Sequence, residues 1–403
     1  MSIAERAADN IRALAISMVE RAKSGHPGGA MGGADFIQVL FSEQLRYDPR
    51  NPEHPARDRF FMDPGHMSPM LYAQLALAGF FTMEELAAFR SWGSPTPGHP
   101  ELSRSRMIEN TSGPLGQGHT YAVGAAIAAK FLQAGVSELT MAAICVGITL
   151  HGGMRAACGT FFVFSDYMKP VVRMAGLMEQ PVIFIWSHDS FRVGEDGPTH
   201  EPVEQEAQIR LLEHLHNHSG RRALQVLRPA DVHEATVAWQ MAMENLHTPT
   251  ALILSRQNIQ DLPNPTYERA CQLKHGAYVV SDTTPAGETP DLTLIASGSE
   301  VSTLVQAAEL LKGKGYKLRI VSVPSEGLFF DQPEAYRESV IPAKGARFGL
   351  TAGLPVTLLR LVGDMEHIHG LESFGFSAPY TVLDEKLGFT AEAVAQRIEE
   401  LCR

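Results

Sequence analysis

Pro181–Gln205 reads PVIFIWSHDSFRVGEDGPTHEPVEQ, and the change of character inside it decides how the chain folds. Its first seven residues, PVIFIWS at 181–187, are an apolar run with β-branched residues, suited to a strand buried on both faces. The remainder is polar and dense in turn formers. In open parallel sheets ligands sit outside the carboxyl ends of the strands, so His188 and the loop after it fall on the functional edge. The same rule adds Arg256, which directly follows the apolar run TALILS at 250–255. A guanidinium fork and an imidazole converging on one crevice suit a phosphate or a carboxylate. In the loop GEDGPTHEP at 194–202, glycines permit tight backbone geometry, and Asp196 and His200 can hydrogen-bond sugar hydroxyls. No carboxylate cluster or HxH spacing in this loop supports a metal site.

Working outward, Leu224–Leu227 reads as a further strand. Asp231 with Glu234 three residues on is a capping-box signature for the helix that precedes TALILS. This βαβ rhythm predicts a parallel sheet covered by helices. The Pro-rich DLPNPT at 261–266 and the polar loop 281–290 mark a boundary. Beyond it, Leu292–Ala296, Ser299–Leu311, Lys317–Val323 and Phe348–Thr351 predict a second, smaller α/β unit. Before residue 136 no convincing buried strand appears. Ile3–Lys23, Ala34–Leu45, Met70–Leu77, Met83–Phe89 and Gly118–Gln133 read as helices joined by loops rich in Gly, Pro and His. The expected architecture is α/β: two parallel-sheet domains, 136–262 and 263–403, preceded by a mainly helical region, 1–135.

That helical region displays His26, His66 and His99, each following a glycine in a turn, a context that exposes side chains and suggests one shared polar pocket. Gly113–Gly118 (GPLGQG), with Leu115 inside it, opens a helix whose first amides can bind phosphate. Glu138 precedes the apolar Leu139–Leu150, expected to be a buried helix. Burial would let Glu138 hold a proton for a heteroaromatic nitrogen; a carboxylate placed favourably at a helix start is an equally good reading. Phe161, Phe164 and Tyr167 form an aromatic stripe, a pattern that usually serves core packing.

The 403 residues carry a net charge of -11, which excludes the basic footprint that nucleic acid requires. Cys145, Cys158, Cys271 and Cys402 show no CxxC spacing, which fits a reducing, cytoplasmic setting. No apolar run is long enough to cross a bilayer, and the charged N-terminus does not read as a signal peptide.

Taken in order, SGHPG at 24–28, TPGHP at 96–100, GPLGQG at 113–118, GTFFVFSDY at 159–167, HDSFRVGEDGPTHEPVEQ at 188–205, SGSEV at 297–301 and FGFSAP at 374–379 resemble the transketolase family along nearly the whole chain. The resemblance implies transfer of a two-carbon ketol unit between small sugar phosphates, with thiamine diphosphate and a divalent metal, in a homodimer or larger homo-oligomer. It makes 136–262 a pyrimidine-binding-like domain and 263–403 the family's C-terminal-like domain. It implies catalytic roles for Glu138, His26 and His200. Cofactor contacts fall to His66, Gly113, Leu115, Glu138, Phe161, Phe164 and Tyr167, the three aromatics surrounding the pyrimidine ring. Substrate contacts fall to His26, His99, His188, Asp196, His200 and Arg256.

One departure is large. After AAKFLQ at 128–133 the family continues into a GDG…N segment holding the metal and the diphosphate. Here the chain passes through Ala134-Gly135-Val136 to Glu138, and no GDG string occurs in the sequence. The resemblance therefore implies that the family's Mg²⁺ or Ca²⁺ site is absent and the diphosphate anchor missing. A working transferase with a remodelled site, a non-catalytic sugar-phosphate-binding or regulatory protein, and a deletion product are the three readings. A second departure is an insertion, EHLHNHSGRR at 213–222, expected to be a solvated loop, with a weak metal site at His214, His216 and His218 as the less favoured reading.

Overall fold

A computed structural model describes residues 2–54, 57–113, 115–130 and 137–402. The expected helix end at Gln133 and the passage Ala134–Val136 lie outside the described residues. The chain forms two compact units, Met1–Arg155 and Ala156–Arg403. The apolar helix Glu138–His151 belongs to the first unit.

The first unit is helical. Ser2 starts the helix Ile3–Ala22 by accepting from the Glu5 amide, while Glu5 accepts from the Ser2 amide, a reciprocal cap that satisfies two otherwise orphaned donors. Its buried residues Ala8, Ile11, Ala15 and Met18 recur at helical spacing. They meet Ile37, Leu71, Tyr72 and Leu75 in one apolar core. Helices Gln117–Lys130 and Glu138–His151 cross at glycines. A Cβ on Gly124 would stand 2.5 Å from the Ile144 carbonyl oxygen, and one on Gly147 2.5 Å from that of Tyr121. Burial on both sides explains why Leu139–Leu150 is apolar all round. Among the described residues the first strand is Ala157–Phe161, as the strandless first third led one to expect.

The second unit contains both sheets. β1 (Ala157–Phe161), β2 (Ile183–Ser187), β3 (Gln225–Leu227) and β4 (Thr250–Ile253) pair in parallel, in the order β1-β2-β4-β3. β5 (Tyr278–Asp282), β6 (Leu292–Ala296), β7 (Leu318–Ser322), β8 (Ala346–Leu350) and β9 (Ile368–His369) follow the order β5-β7-β6-β8-β9. Only β5, an edge strand, runs antiparallel. The expected cap at Asp231 forms in a modified way. Asp231 accepts from the Glu234 amide at 2.8 Å, but Glu234 reaches back past it to the Ala230 amide, also at 2.8 Å. The second Glu234 oxygen accepts from Tyr278 and Ser322, so this capping residue also ties its helix to β5 and β7 of the five-stranded sheet.

A buried ionic network joins the two lobes of this unit. Arg228 donates to Asp189 at 2.7 Å and pairs with Glu300 at 2.5 Å and Glu206 at 3.4 Å. Arg192 binds Glu300 at 2.9 Å and Asp384 at 2.8 Å, and Arg210 binds Glu213 at 3.0 Å and Glu206 at 3.2 Å. Burial works against the Arg228 charge, yet Glu206, Glu300 and Asp189 outweigh it and hold its pKa well above that of a free arginine. The expectation of a solvated loop at 213–222 holds for its middle, where Leu215, His216 and residues 218–221 are exposed, and is corrected by this network only at its start. Glu213 is fully buried, accepting from Ser325 as well as Arg210. Arg222 is tied to the Glu213 carbonyl and to Asp331. An arginine already underneath makes a buried carboxylate tolerable, which explains why the segment folds inward at this end.

Candidate functional site

In the second unit, the parallel register sets Phe161, the last residue of β1, beside Ser187, the last of β2. His188 follows in the left-handed region, with φ 62°, a conformation that non-glycine residues seldom adopt outside special sites. The turn lays its imidazole flat on Phe161, with ring centroids 3.5 Å apart and planes 14° from parallel. Its Nδ1 stands 2.9 Å from Ser187 Oγ. Phe164 lies parallel to Phe161 at 6.1 Å, and Tyr167 lies 6.2 Å from Phe164. His200 meets Phe164 edge-on at 5.4 Å and Phe161 at 6.1 Å. The stripe is therefore a shelf and not core: Tyr167 is 62% exposed.

Burial lowers the His188 pKa, and Arg256 lowers it further; Asp196 and Asp189 pull the other way, and His200 adds a small lowering. The strand-end histidine and arginine thus share one electrostatic neighbourhood, with Asp196 in it. The lowered pKa favours a neutral His188 that can donate or accept, with the Arg256 guanidinium beside it. Asp196 and Arg256 are both exposed and so open to a ligand from solvent.

The loop carrying Asp196 and His200 is held from the side of the C-terminal sheet. Ser377 Oγ donates to the Glu195 carbonyl at 2.7 Å, and Gly197, at φ 75°, would press a Cβ to 3.1 Å from the Ser377 side chain. Next to His200 stands Glu201, 2% exposed, with neither carboxyl oxygen in a well-formed hydrogen bond. Its carboxyl packs on Gly375, where no side chain has room. Burial pushes its pKa up to about 7, the Phe376 amide giving partial relief.

In the first unit the turns bring the predicted histidines together. His26 precedes the helix Pro27–Gly32, and His66 sits in the turn Gly65–Met67; their ring centroids are 5.2 Å apart. Burial lowers the His99 pKa, followed by the fields of Arg90, His26 and His66, so the three histidines lie within electrostatic reach of one another, His26 and His99 being exposed. Asn110 secures the loop before His66 by accepting from the Met62 amide at 3.0 Å and donating to its carbonyl at 3.2 Å. Asp63 then accepts from the Gly116 amide at 2.9 Å and pairs with His119 Nδ1 at 2.9 Å. The start of the helix Gln117–Lys130 therefore already faces a carboxylate, with Gly118 allowing the close approach. Gly113 has open space around it and Leu115 is exposed. Glu138 is the first residue of its helix and half-buried.

Among the described residues no group of three His, Cys, Asp or Glu side chains is placed to hold a metal. His214 instead contacts Arg360 at 2.7 Å and Glu326 at 3.5 Å. No described helix is long and apolar enough to cross a membrane. Sequence reasoning missed Glu201, the Asp63–His119 pair and Arg228. Arg228 had a usable signal, since it directly follows β3 just as His188 follows β2.

Residues 3–282 match the transketolase thiamine diphosphate binding domain, and residues 276–390 match the transketolase-like C-terminal domain. The transketolases of Halalkalibacterium halodurans and Geobacillus stearothermophilus are each 26% identical, over 670 and 675 residues, with 99% of both chains covered. Those lengths exceed the 403 residues present here, so long stretches of each relative face gaps in this chain. Among solved structures, the Leishmania mexicana transketolase superposes with a TM-score of 0.89 at 25% identity, covering 100% of this chain and 98% of that one. The Pichia stipitis transketolase complexed with sedoheptulose 7-phosphate gives 0.87 at 21%, with the same coverage. With the two domain matches together spanning residues 3–390, the chain belongs to the transketolase family.

Proposed function

We propose that this chain transfers a two-carbon ketol unit between sugar phosphates, using thiamine diphosphate in a remodelled site. The observation that carries the reading is the shelf of Phe161, Phe164 and Tyr167 flanked by His188 and His200. It offers a flat heteroaromatic ring two aromatic faces beside polar groups suited to a phosphorylated sugar. Pichia stipitis transketolase structures carry sedoheptulose 7-phosphate, fructose 6-phosphate and xylulose 5-phosphate, which supports sugar phosphates as the ligand class.

The shelf fits the ring end of thiamine diphosphate. The diphosphate end is less well served: the described residues include no metal-holding group, and Asp63 stands at the helix start with His66, Gly113 and Leu115 nearby in sequence. When bound, the cofactor would supply a nucleophilic ring carbon able to carry the ketol unit. The chain's own groups bind and move protons. Glu138 is assigned the proton on the ring nitrogen, Arg256 and His188 hold the substrate phosphate, and Asp196 reads a sugar hydroxyl. His26 and His200 exchange protons with the reacting oxygens, and His99 positions the donor sugar. A homodimer or larger homo-oligomer in the cytoplasm is part of this proposal.

A second reading, a non-catalytic sugar-phosphate-binding or regulatory protein, is favoured by the long gaps against the relatives and by Asp63 at the helix start. Calorimetric titration with thiamine diphosphate, with and without Mg²⁺, run beside a ketol-transfer assay from xylulose 5-phosphate, separates the two. Heat and transfer support the enzyme; heat with xylulose 5-phosphate alone, without transfer at millimolar cofactor, supports the binding protein.

A further inference from the structure

We infer that the second unit contains another ligand site, in the crevice between its two lobes, for an uncharged polyhydroxyl compound such as a free sugar or polyol. The crevice encloses about 390 Å³. One wall is the segment after β4, including Gln257 and Gln260; the opposite wall is the helix Glu300–Leu310, through Ser302 and Gln306. It opens at Ser299, just beyond the carboxyl end of β6. β6 connects onward to β7 on one side, while its other neighbour, β8, connects onward to β9 on the far side, so the connections diverge between β6 and β8. Crevices at such switch points are where open α/β sheets bind ligands.

Side-chain chemistry sets the ligand class. Arg192 is the only cation lining the crevice, and it is already engaged, donating Nε to Asp384 at 2.8 Å and Nη1 to Glu300 at 2.9 Å and Ser299 at 3.1 Å. A phosphate entering would meet Asp384 and Glu392 with no free cation to offset them. Amides and hydroxyls make up most of the remaining wall, and these suit neutral hydroxyl groups. Gln257 lines the wall, and its Oε1, closed off from solvent in this arrangement, has no hydrogen-bond partner; a rotation of the side chain would turn that unmet acceptor to a ligand hydroxyl. Across the gap Gln306 Nε2 reaches Gln260 at 3.4 Å and Ser302 at 3.2 Å. Bonds that long are readily exchanged for better ones to a ligand. Tyr380 adds a half-exposed ring at the edge, a surface for the C–H face of a sugar.

This site is independent of the shelf and of whether the chain turns over. The test is saturation-transfer NMR and calorimetry on the full chain with ribitol as probe. Ribitol should bind with a Kd on the order of millimolar and lose affinity by about tenfold or more in Gln257→Leu and in Gln306→Leu. Xylulose 5-phosphate should not displace it, and Phe161→Ala should leave it bound. Gln306 is exposed, so its variant decides the matter if Gln257→Leu fails to melt like the parent. The inference is overturned if ribitol does not bind, if binding survives the Gln306 substitution, or if Phe161→Ala or xylulose 5-phosphate abolishes it.

Discussion

The two units present polar side chains by different means. In Ala156–Arg403 the functional groups stand at strand ends, where a parallel register fixed by backbone hydrogen bonds sets Phe161 beside Ser187 and His188. In Met1–Arg155 no described strand is available, and His26, His66 and His99 converge because turns between helices are pinned by single side chains such as Asn110 and Arg90. A sheet edge distributes its positional information over a ladder of bonds; a set of pinned turns concentrates it in a few. The first should tolerate loss of one polar contact better than the second, provided the charge network beneath it remains whole.

That proviso yields the largest expected effect. Arg228→Met leaves Asp189, Glu206 and Glu300 facing one another in the interior, and should destabilise the second unit by about 3–5 kcal/mol, read by urea unfolding. If it costs less than about 1 kcal/mol, the network is not what joins the two lobes.

Glu201 comes next. Its folded pKa, about 7, lies above the ordinary carboxylate value. Its contribution to stability is therefore fully present below about pH 4.5 and lost as pH rises through 7. Glu201→Gln should raise stability at pH 8 by about 1–3 kcal/mol and flatten the slope between pH 5 and 7. An unchanged slope would show that the carboxyl ionises freely and that the loop packs more loosely than the geometry indicates.

Phe161→Ala removes the face on which His188 rests. It should weaken thiamine diphosphate binding by about ten- to a hundredfold and raise the His188 pKa by lessening its burial, the latter read by NMR titration even if no cofactor binds. The smallest effect belongs to the other unit. Arg90→Gln should raise the His99 pKa slightly, burial remaining the main cause of its lowering and Arg90 being the largest charge acting on it. A larger rise, or loss of the His26–His66 proximity in the same spectra, would mean that one pinned turn governs the whole pocket.

Much of this was readable before any coordinates. Strands 181–187 and 250–255 announced themselves by short apolar runs, and β2 and β4 lie within them. The glycine-flanked histidines were recognisable as displayed residues. The aromatic stripe was not: Phe161, Phe164 and Tyr167 at regular spacing look like core, and only the chain's passage from strand to turn to helix leaves them as an open shelf. Nor could spacing alone separate Arg256 from Arg228. Both lie at the ends of strands, yet one is exposed and the other is 1% exposed, because Asp189, Glu206 and Glu300 close over it from distant parts of the chain.

By itself the sequence determined the α/β class, the strand ends that bear polar groups, and the family to which the chain belongs, since apolar periodicity and local turn chemistry are written residue by residue. The tertiary structure alone decided which charges are buried, which carboxyl is pushed by burial up to about 7, and which neutral amides line the crevice between the lobes. Those properties depend on what lies within a few ångströms in space, and the residues that supply it, Glu201 with Gly375 or Arg192 with Asp384, are more than a hundred positions apart along the chain.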